Sequence, residues 1–343
     1  MRTRLVNATV MLVVALLAGT VPAGAQGAPA GRAPIIDMHL HADAVAGPGG
    51  APPALCASAG LPPRDVSRPA TILTWPRCST PWIAPAPSDD ALLRGTLAIM
   101  ERYNVIGVTS GPIAFVRRWR TAAPARVIPA TYLAPLDSVR AWAKDGTIRV
   151  LGELAFQYGG VGPGDSVPET YYALAEELDL PVGVHVGPGP PGTAYLGFSR
   201  CRARHSNPLL LEDVLLRHPK LRLYVMHAGW PMGDEMIALL YAHPQVYVDV
   251  GVISWTQPRK EFHRYLRRLV EAGYGERVMF GSDQMAYPDA LRIAIENVES
   301  ADFLTPAQKR DIFYNNAVRF LRLPPNGVPE AAAGRPASGR VAP

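Results

Sequence analysis

Residues 35–41 of the 343-residue chain read Ile-Ile-Asp-Met-His-Leu-His, an apolar run that ends in two histidines. Side chains of a β-strand alternate between its two faces, so His39 and His41 share one face. Further short apolar runs, rich in β-branched residues, recur along the chain and bring the predicted strands to eight. The other runs are residues 105–109, 127–132, 150–154, 181–186, 221–227, 246–250 and 278–280.

The segments between these runs mostly have the apolar spacing of helices. Examples are residues 89–103, 169–178, 208–217, 234–242, 259–272, 290–298 and 306–321. Strands that are apolar nearly throughout and alternate with helices are typical of a parallel sheet covered on both faces. We therefore predict an α/β fold, a (β/α)8 barrel of the TIM type. A doubly wound sheet is the alternative, but no glycine-rich nucleotide fingerprint follows the first strand.

Two segments rich in proline and glycine lie outside this alternation, residues 43–87 and residues 324–343. We interpret the first as a long insertion after the first strand and the second as a disordered tail. Residues 35–323 number 289, and removing the 45 residues of the insertion leaves 244. A TIM barrel typically has about 250 residues. One barrel domain over residues 26–323 is therefore expected.

The first 25 residues have the pattern of a secretory signal peptide. Arg2 and Arg4 precede an apolar core at residues 10–18, and Ala23-Gly24-Ala25 provides a cleavage site. The apolar core is short for a membrane span, and no cysteine adjoins the cleavage site to carry a lipid. We expect a mature protein that is secreted or periplasmic, without stable membrane anchoring.

The composition excludes several classes of protein. With 48% hydrophobic residues and a net charge of +5, the chain is not of the disordered type. Only four of the 34 basic residues are lysine, and the arginines are scattered rather than gathered on one face. This argues against nucleic-acid binding. A small-molecule substrate is the expected partner, and the oligomeric state is open, a homo-oligomer included.

Metal-compatible side chains stand at the ends of five predicted strands. The active site of a TIM barrel forms at the carboxyl ends of its strands, and histidine and carboxylate side chains bind divalent ions such as zinc. Burying so many unpaired polar groups without an ion would be costly. The six residues are His39 and His41 on the first strand, Glu153 on the fourth, His185 on the fifth, His227 on the sixth and Asp283 on the eighth.

The Asp-x-His-x-His motif at residues 37–41 and the late Gly-Ser-Asp at residues 281–283 resemble the amidohydrolase superfamily. The pattern is that of the amidohydrolase-2 type of metal-dependent hydrolases, and the resemblance extends over residues 35–323. It implies a (β/α)8 barrel with one or two divalent ions, usually zinc. These ions would activate a water for attack on a carbonyl or related centre.

Carried over by position, the resemblance implies two ligand sets. His39, His41 and Asp283 would bind a first ion. His185 and His227 would bind a second ion or, with one ion only, hold and polarise the substrate. Asp283 would serve as the general acid and base. His227 could polarise the substrate, so Asp283 and His227 are the candidate catalytic residues.

Many members with two ions bridge them by a carboxylated lysine on the fourth strand. Here Lys144 lies before that strand, and Glu153 occupies its end. Other members use glutamate there, so the resemblance implies Glu153 as the bridging ligand.

Two aspartates accompany the candidate ligands. Asp37 has the same parity as His39 and His41, and Asp249 has a similar place on the seventh strand. Either residue could orient a liganding histidine by accepting its second ring hydrogen. The alternative for each is a buried aspartate bonded to backbone or arginine.

Residues that follow the strands are candidate substrate contacts. Tyr158, Trp230 and Trp255 could line a pocket or pack its rim. Arg200 and Arg202, in the loop after the fifth strand, could bind an anionic substrate. The alternative for these arginines is a solvated basic loop.

The sequence thus predicts an exported metal-dependent hydrolase that acts on an amide, ester or lactone. Two alternatives stay open. One is a metal-dependent non-oxidative decarboxylase of a carboxylic acid. The other is a non-catalytic barrel that binds a metal or a solute.

The three cysteines, Cys56, Cys78 and Cys201, match no zinc-finger spacing. We predict a disulfide between Cys56 and Cys78, because both lie in one proline-rich segment and an exported protein meets an oxidising environment. Peptide mapping without reduction should recover these two cysteines linked and Cys201 as a free thiol. Recovery of Cys56 and Cys78 as free thiols would contradict the pairing.

Overall fold

Within the part of the chain that the structure describes, the strands form one parallel eight-stranded sheet in chain order, β1 to β8. This architecture comes from a computed structural model that describes residues 31–47, 50–55, 65–67 and 82–324. The predicted (β/α)8 barrel is confirmed. The strands are β1 Ile35–His41, β2 Val105–Ser110, β3 Val127–Thr131, β4 Val150–Leu154, β5 Val182–His185, β6 Leu223–Met226, β7 Tyr247–Asp249 and β8 Val278–Met279.

Helices alternate with these strands and cover the outside of the sheet. The α-helices are α1 Asp89–Tyr103, α2 Ile113–Ala122, α3 Leu136–Lys144, α4 Ser166–Glu177, α5 Glu212–Arg217, α6 Gly233–Ala242, α7 Ile253–Thr256, α8 Arg259–Leu269, α9 Pro288–Glu299, α10 Pro306–Arg310 and α11 Asn316–Leu321. The helix predicted over residues 306–321 is interrupted by a π-helical turn at Asp311–Asn315. A second π-helical turn, Val270–Tyr274, ends the helix predicted over residues 259–272.

Backbone hydrogen bonds join the end of β8 to β1 and close the barrel. The amide of Met38 donates to the carbonyl of Phe280 at 2.9 Å, and the amide of Asp283 donates to the carbonyl of His39 at 2.7 Å. The carboxylate of Asp37 adds a third link, because its Oδ1 accepts the amide of Ser282 at 3.0 Å. The segment after β8 is thereby held directly against β1.

The pairing of β1 with β2 contains a bulge that changes which side chains face inward. Asp37 pairs with Gly107, whereas Leu40 pairs with Thr109, so β1 holds one extra residue between these pairs. Asp37 therefore shares a face with Leu40 and not with His41. The expectation that Asp37 has the inward parity of the two histidines was wrong, because an extra residue reverses the alternation.

A similar irregularity lies in β4, where Leu151 pairs with Val182 and Leu154 pairs with Val184. Two residues of β4, Gly152 and Glu153, stand opposite a single residue of β5. A bulge bends the strand and redirects the side chains within it. It places Glu153 where its carboxylate contacts residues of β5 and β6.

Apolar side chains fill both sides of the sheet. The larger cluster combines outward strand residues with helix residues such as Trp119 and Leu266. The smaller cluster combines alternate strand residues, among them Ile36, Met38 and Tyr224, with the C-terminal helical segment. Because its members alternate with those that contact helices, we assign the smaller cluster to the barrel interior.

Several expectations fall outside the described residues. These are the signal peptide, both Cys56 and Cys78, most of the 43–87 insertion and the tail after residue 324. Within the described part of the chain, Cys201 is a buried free thiol. A search of the same residues finds no helix that is long and apolar enough to cross a membrane.

His218 joins α4 to the turn after α5. Its Nδ1 lies 3.0 Å from Oε2 of Glu176, and its Nε2 lies 2.8 Å from Oε1 of Glu169. Burial by itself lowers the pKa of His218, but the hydrogen bonds to Glu176 and Glu169 outweigh burial and raise this pKa above 6.5. The protonated imidazole thus ties two elements together.

We predict that His218→Gln lowers the free energy of unfolding by on the order of 1 kcal/mol at about pH 5.5. A pKa that is raised on folding stabilises the protein below the unfolded pKa, and this stabilisation is lost as the pH rises through the folded pKa. The gap between the two proteins should therefore shrink toward about pH 9 in urea unfolding curves. A gap that is constant with pH would contradict the role of His218.

Candidate metal centre

The six predicted ligands converge at the carboxyl ends of the strands. Five of them are buried and Glu153 is nearly so. They form two groups, and within each group the candidate ligand atoms lie within 4.8 Å of one another. The groups are His39, His41 and Asp283, and Glu153, His185 and His227.

The carboxylate of Glu153 faces both groups. Its Oε1 contacts Nδ1 of His185 and lies 3.4 Å from Nε2 of His227. Its Oε2 lies 3.8 Å from Nε2 of His39 and 3.8 Å from Nε2 of His41. One carboxylate can therefore contribute an oxygen to each group.

Three of the histidines use one ring nitrogen to donate to a group that can only accept. Nδ1 of His39 lies 3.2 Å from Oδ2 of Asp249, and Nδ1 of His227 lies 3.1 Å from the carbonyl of Gly251. Nε2 of His185 lies 3.2 Å from the carbonyl of Gly187. A neutral imidazole that donates from one nitrogen keeps a lone pair on the other. The second nitrogen of each ring thus carries the lone pair and faces the other candidate ligands.

Two ring nitrogens in the first group lack hydrogen bonds. Nε2 of His39 and Nε2 of His41 are buried and have no hydrogen-bond partner, although Nε2 of His41 lies 2.8 Å from Oδ1 of Asp283. Buried polar atoms are nearly always satisfied, so unpartnered nitrogens require an explanation. A divalent cation explains them, since it accepts lone pairs from imidazole and carboxylate alike. The residues present fit such an ion.

The electrostatics of the site also favour a cation. Burial by itself lowers the pKa of histidine, yet the carboxylates hold the pKa of His39 well above its usual value and raise that of His41 to about 10. Burial likewise favours neutral acids, but His185 holds the pKa of Glu153 well below its usual value, and His39 and His41 lower that of Asp283. Buried carboxylates thus remain anionic and attract either protons or a metal ion.

The backbone around the ligands adopts unusual conformations. His227 and Asp283 have φ angles of 60° and 51°, in the left-handed region that non-glycine residues seldom occupy. Such conformations persist only when the surroundings enforce them. For Asp283, the enforcing contact is the hydrogen bond from its amide to the carbonyl of His39.

Sequence reasoning missed three residues of the site, which are Gln284, Tyr132 and Asp43. Buried Gln284 clamps the backbone of His41, accepting its amide at 2.9 Å and donating to its carbonyl at 2.7 Å. Tyr132 contacts Nδ1 of His41, and its hydroxyl donates to Asp43 at 2.6 Å. The available signals were weak: Gln284 follows Asp283, and Tyr132 ends the third apolar run.

The two accompanying aspartates differ. Asp249 contacts the ring of His39, and its Oδ1 accepts the amides of Gly251 and His227. It therefore lies in the orienting position, one of the two alternatives considered for it, and it also accepts backbone amides. Asp37 instead accepts the backbone amides of His39 and Ser282, which is the structural alternative.

Tyr158 is the predicted substrate contact that lies nearest to the ligands. Its ring meets that of His185 edge-on with centroids 5.2 Å apart, and the half-exposed Phe198 packs on its other side at 5.0 Å. Burial and the charges of Glu153 and Asp283 keep the pKa of Tyr158 well above its usual value. Its hydroxyl therefore stays protonated.

The other predicted substrate contacts differ in burial. Trp255 is only 1% exposed, and its indole N–H donates to the carbonyl of Ser282, next to Asp283 in the chain. Trp230 is partly buried against the larger apolar cluster. Arg200 and Arg202 are exposed, and Arg202 donates to carbonyls of its own loop.

Comparison with known proteins adds a family match. A family model described as Amidohydrolase matches residues 36–323. Among curated proteins, Protein fluG of Emericella nidulans is 24% identical over 176 residues, which cover 47% of this chain and 19% of that protein. The chain thus spans about a fifth of the length of this curated relative.

Solved structures share the fold at low sequence identity. A probable 2-pyrone-4,6-dicarboxylic acid hydrolase from Acinetobacter baumannii, with citric acid bound, is 13% identical with a TM-score of 0.55, covering 84% of this chain and 100% of that chain. A 5-carboxyvanillate decarboxylase from Novosphingobium aromaticivorans, complexed with manganese and 4-hydroxy-3-methoxy-5-nitrobenzoic acid, is 14% identical with a TM-score of 0.50. That match covers 66% of this chain and 79% of the decarboxylase.

Close packing around His39 generates a prediction. A methyl carbon added at Gly251 would lie 2.6 Å from Nδ1 of His39 and 2.9 Å from Oδ1 of Asp249. Gly251→Ala should therefore separate this pair and destabilise the protein by about 1–3 kcal/mol, as overpacking typically does. Gly159→Ala is the matched control, because a methyl there would meet no atom within 4 Å. Equal urea midpoints for the two variants would contradict the prediction.

Proposed function

The chain belongs to the amidohydrolase family, and on this premise we propose that it is a metal-dependent hydrolase that cleaves an amide, ester or lactone. One observation carries the proposal. Glu153 directs one oxygen toward His185 and His227 and the other toward His39 and His41. This is the placement that a carboxylate bridging two ions needs, and two ions suit the activation of water.

We assign the ligands by group. His39, His41 and Asp283 would hold the first ion, His185 and His227 the second, with Glu153 between the two ions. With a single ion, His185 and His227 would instead hold and polarise the substrate. Zinc is the proposed metal, because imidazole nitrogens outnumber carboxylates in the combined set and zinc favours such ligands.

In the proposed reaction, water acts as the nucleophile, and one of its protons is transferred to the leaving group. When bound, a divalent ion lowers the pKa of water from about 15.7 to about 7. Asp283 is anionic, because His39 and His41 outweigh burial and lower its pKa. Its carboxylate accepts the proton of the attacking water and returns it to the leaving nitrogen or oxygen. Water is consumed. An amide or ester gives an acid and an amine or alcohol, and a lactone gives a single hydroxy acid.

Non-oxidative decarboxylation is the second candidate. The likeness to the manganese-containing 5-carboxyvanillate decarboxylase supports it, as does the first ligand group, which can hold an ion without the second. In that reaction a carboxylate would leave as carbon dioxide and a proton would take its place on carbon.

Elemental analysis combined with a substrate panel tests these candidates. We expect two zinc ions per chain and turnover of at least one ester, lactone or amide. One ion per chain together with release of carbon dioxide from an aromatic acid would overturn hydrolysis in favour of decarboxylation. Metal binding without turnover of any substrate in either panel would indicate the non-catalytic barrel.

We also propose export, which the pattern of residues 1–25 supports. Cleavage after Ala25 would leave Gln26 at the amino terminus. N-terminal sequencing of the protein recovered from the periplasm or medium of an expressing bacterium would detect it. Accumulation of uncleaved protein in the cytoplasm would contradict export.

The role of Asp283 leads to a prediction. Asp283→Asn keeps an oxygen for the metal but removes the proton acceptor, so kcat should fall by about 100-fold or more while most of the metal stays bound. Asp289→Asn, which alters an exposed residue paired with Arg292, is the matched control and should retain activity. Unchanged turnover in the Asp283 variant would refute the assigned role.

A further inference from the structure

His41 differs from the other three histidines in what its outer nitrogen contacts. His39 faces a carboxylate, and His185 and His227 face backbone carbonyls, so each of these rings has a partner that only accepts. Nδ1 of His41 instead contacts the hydroxyl of Tyr132. A hydroxyl can donate or accept, so this contact alone does not decide which nitrogen of His41 carries the hydrogen.

Asp43 removes this ambiguity. The hydroxyl of Tyr132 lies 2.6 Å from Oδ2 of Asp43, and a carboxylate can only accept. Tyr132 has a single hydrogen, which this bond uses. The hydrogen between His41 and Tyr132 must then come from Nδ1 of His41, which leaves the lone pair on Nε2 in the neutral imidazole that a metal ion binds.

The free Nε2 is the atom that faces the first ligand group. It lies 2.8 Å from Oδ1 of Asp283 and 3.8 Å from Oε2 of Glu153, and it has no hydrogen-bond partner. Asp43 does not reach the ring directly, because its Oδ2 is 3.6 Å from Nδ1 of His41. The hydrogen-bonding link between Asp43 and the ring therefore passes through Tyr132.

The elements of the barrel hold this chain of groups in place. Tyr132 directly follows β3, and Asp43 lies two residues after the end of β1. The rings of Tyr132 and His41 have centroids 5.7 Å apart.

We propose that Asp43 and Tyr132 are positioning residues that fix the tautomer of His41 and so direct its Nε2 lone pair at the metal. This inference rests on the proposed function, since it needs a metal at the first ligand group. Neither residue touches the reacting atoms, and neither forms part of the ligand sets assigned above.

Substitutions should separate this role from simple packing. Tyr132→Phe keeps the ring and removes the hydroxyl. Asp43→Asn replaces an acceptor by an amide that can also donate, so Tyr132 becomes free to donate to His41 and to shift its hydrogen to Nε2. Asp43→Glu keeps the carboxylate and should therefore keep most of the zinc affinity that Asp43→Asn loses. Tyr172→Phe is the matched control, because it removes a buried hydroxyl that donates to the carbonyl of Pro163, away from the ligands.

The experiment measures zinc affinity of the purified protein by competition with a chelator. We expect Tyr132→Phe and Asp43→Asn to bind zinc about 10- to 100-fold more weakly, the range for partners that orient metal ligands. Asp43→Glu should lie closer to the wild type, and Tyr172→Phe should match it. Nitrogen-15 NMR of the zinc-loaded wild type should show the hydrogen of His41 on Nδ1.

The outcomes separate this inference from the proposed function. A wild-type protein that binds no zinc would overturn both. If the wild type binds zinc and both Tyr132→Phe and Asp43→Asn bind it as tightly, the inference alone fails. If Tyr132→Phe does not fold, Asp43→Asn decides, because Asp43 is partly exposed and its substitution leaves the ring of Tyr132 in place.

Discussion

Two buried carboxylates among four imidazoles set the main constraint on this protein. Glu153 and Asp283 lie at the barrel mouth, where burial penalises charge, and yet each remains anionic. Their charge must be balanced by cations within a few ångströms, either protons on the histidines or metal ions. Protons and metal ions would bind to the same ring nitrogens, so they compete for the site. The geometry of the surrounding strands makes this competition possible.

Irregularities in the strands bring the carboxylates and imidazoles together. A regular β1 would keep His41 on the face of Asp37, opposite the interior residue Ile36, whereas the bulge turns His41 inward and leaves Asp37 to bind the segment after β8. In β4, the bulge brings Glu153 between the two groups. The left-handed turn at Asp283 returns its carboxylate toward β1. Regular strands alone would leave these ligands on different faces.

Much of the fold and most of the candidate site could be predicted from the sequence. The strands are apolar, short and β-branched, a pattern that burial on both faces requires, and the bounds of β1 and β4 match the prediction. The six candidate ligands could be singled out because polar groups seldom end buried strands without a reason. Metal affinity and reaction type remain proposals, since neither a residue pattern nor a fold measures them.

The bulges and the outer contacts could not be predicted, for a physical reason. A bulge shifts the register by one residue without altering the hydrophobic pattern. The contact of Tyr132 with His41 joins residues 91 positions apart, and that of Gln284 joins residues 243 apart. Trp255 could line a pocket or pack its rim, and only the folded chain shows that its indole N–H donates to the carbonyl of Ser282. Such contacts depend on how neighbouring strands stagger.

The number of bound ions sets the net charge of the site, and this charge affects which reaction the site can catalyse. With neutral imidazoles, Glu153 and Asp283 together carry two negative charges, so a single divalent ion neutralises the two ligand groups. Two divalent ions leave an excess of two positive charges. A hydrolytic transition state develops negative charge on the attacked oxygen, and a positively charged site stabilises it, whereas a neutral site gives less stabilisation. Because Glu153 presents one oxygen to each group, the structure offers a place for the second ion. This electrostatic argument favours hydrolysis over the loss of a carboxylate, and it depends on Glu153 more than on any other ligand.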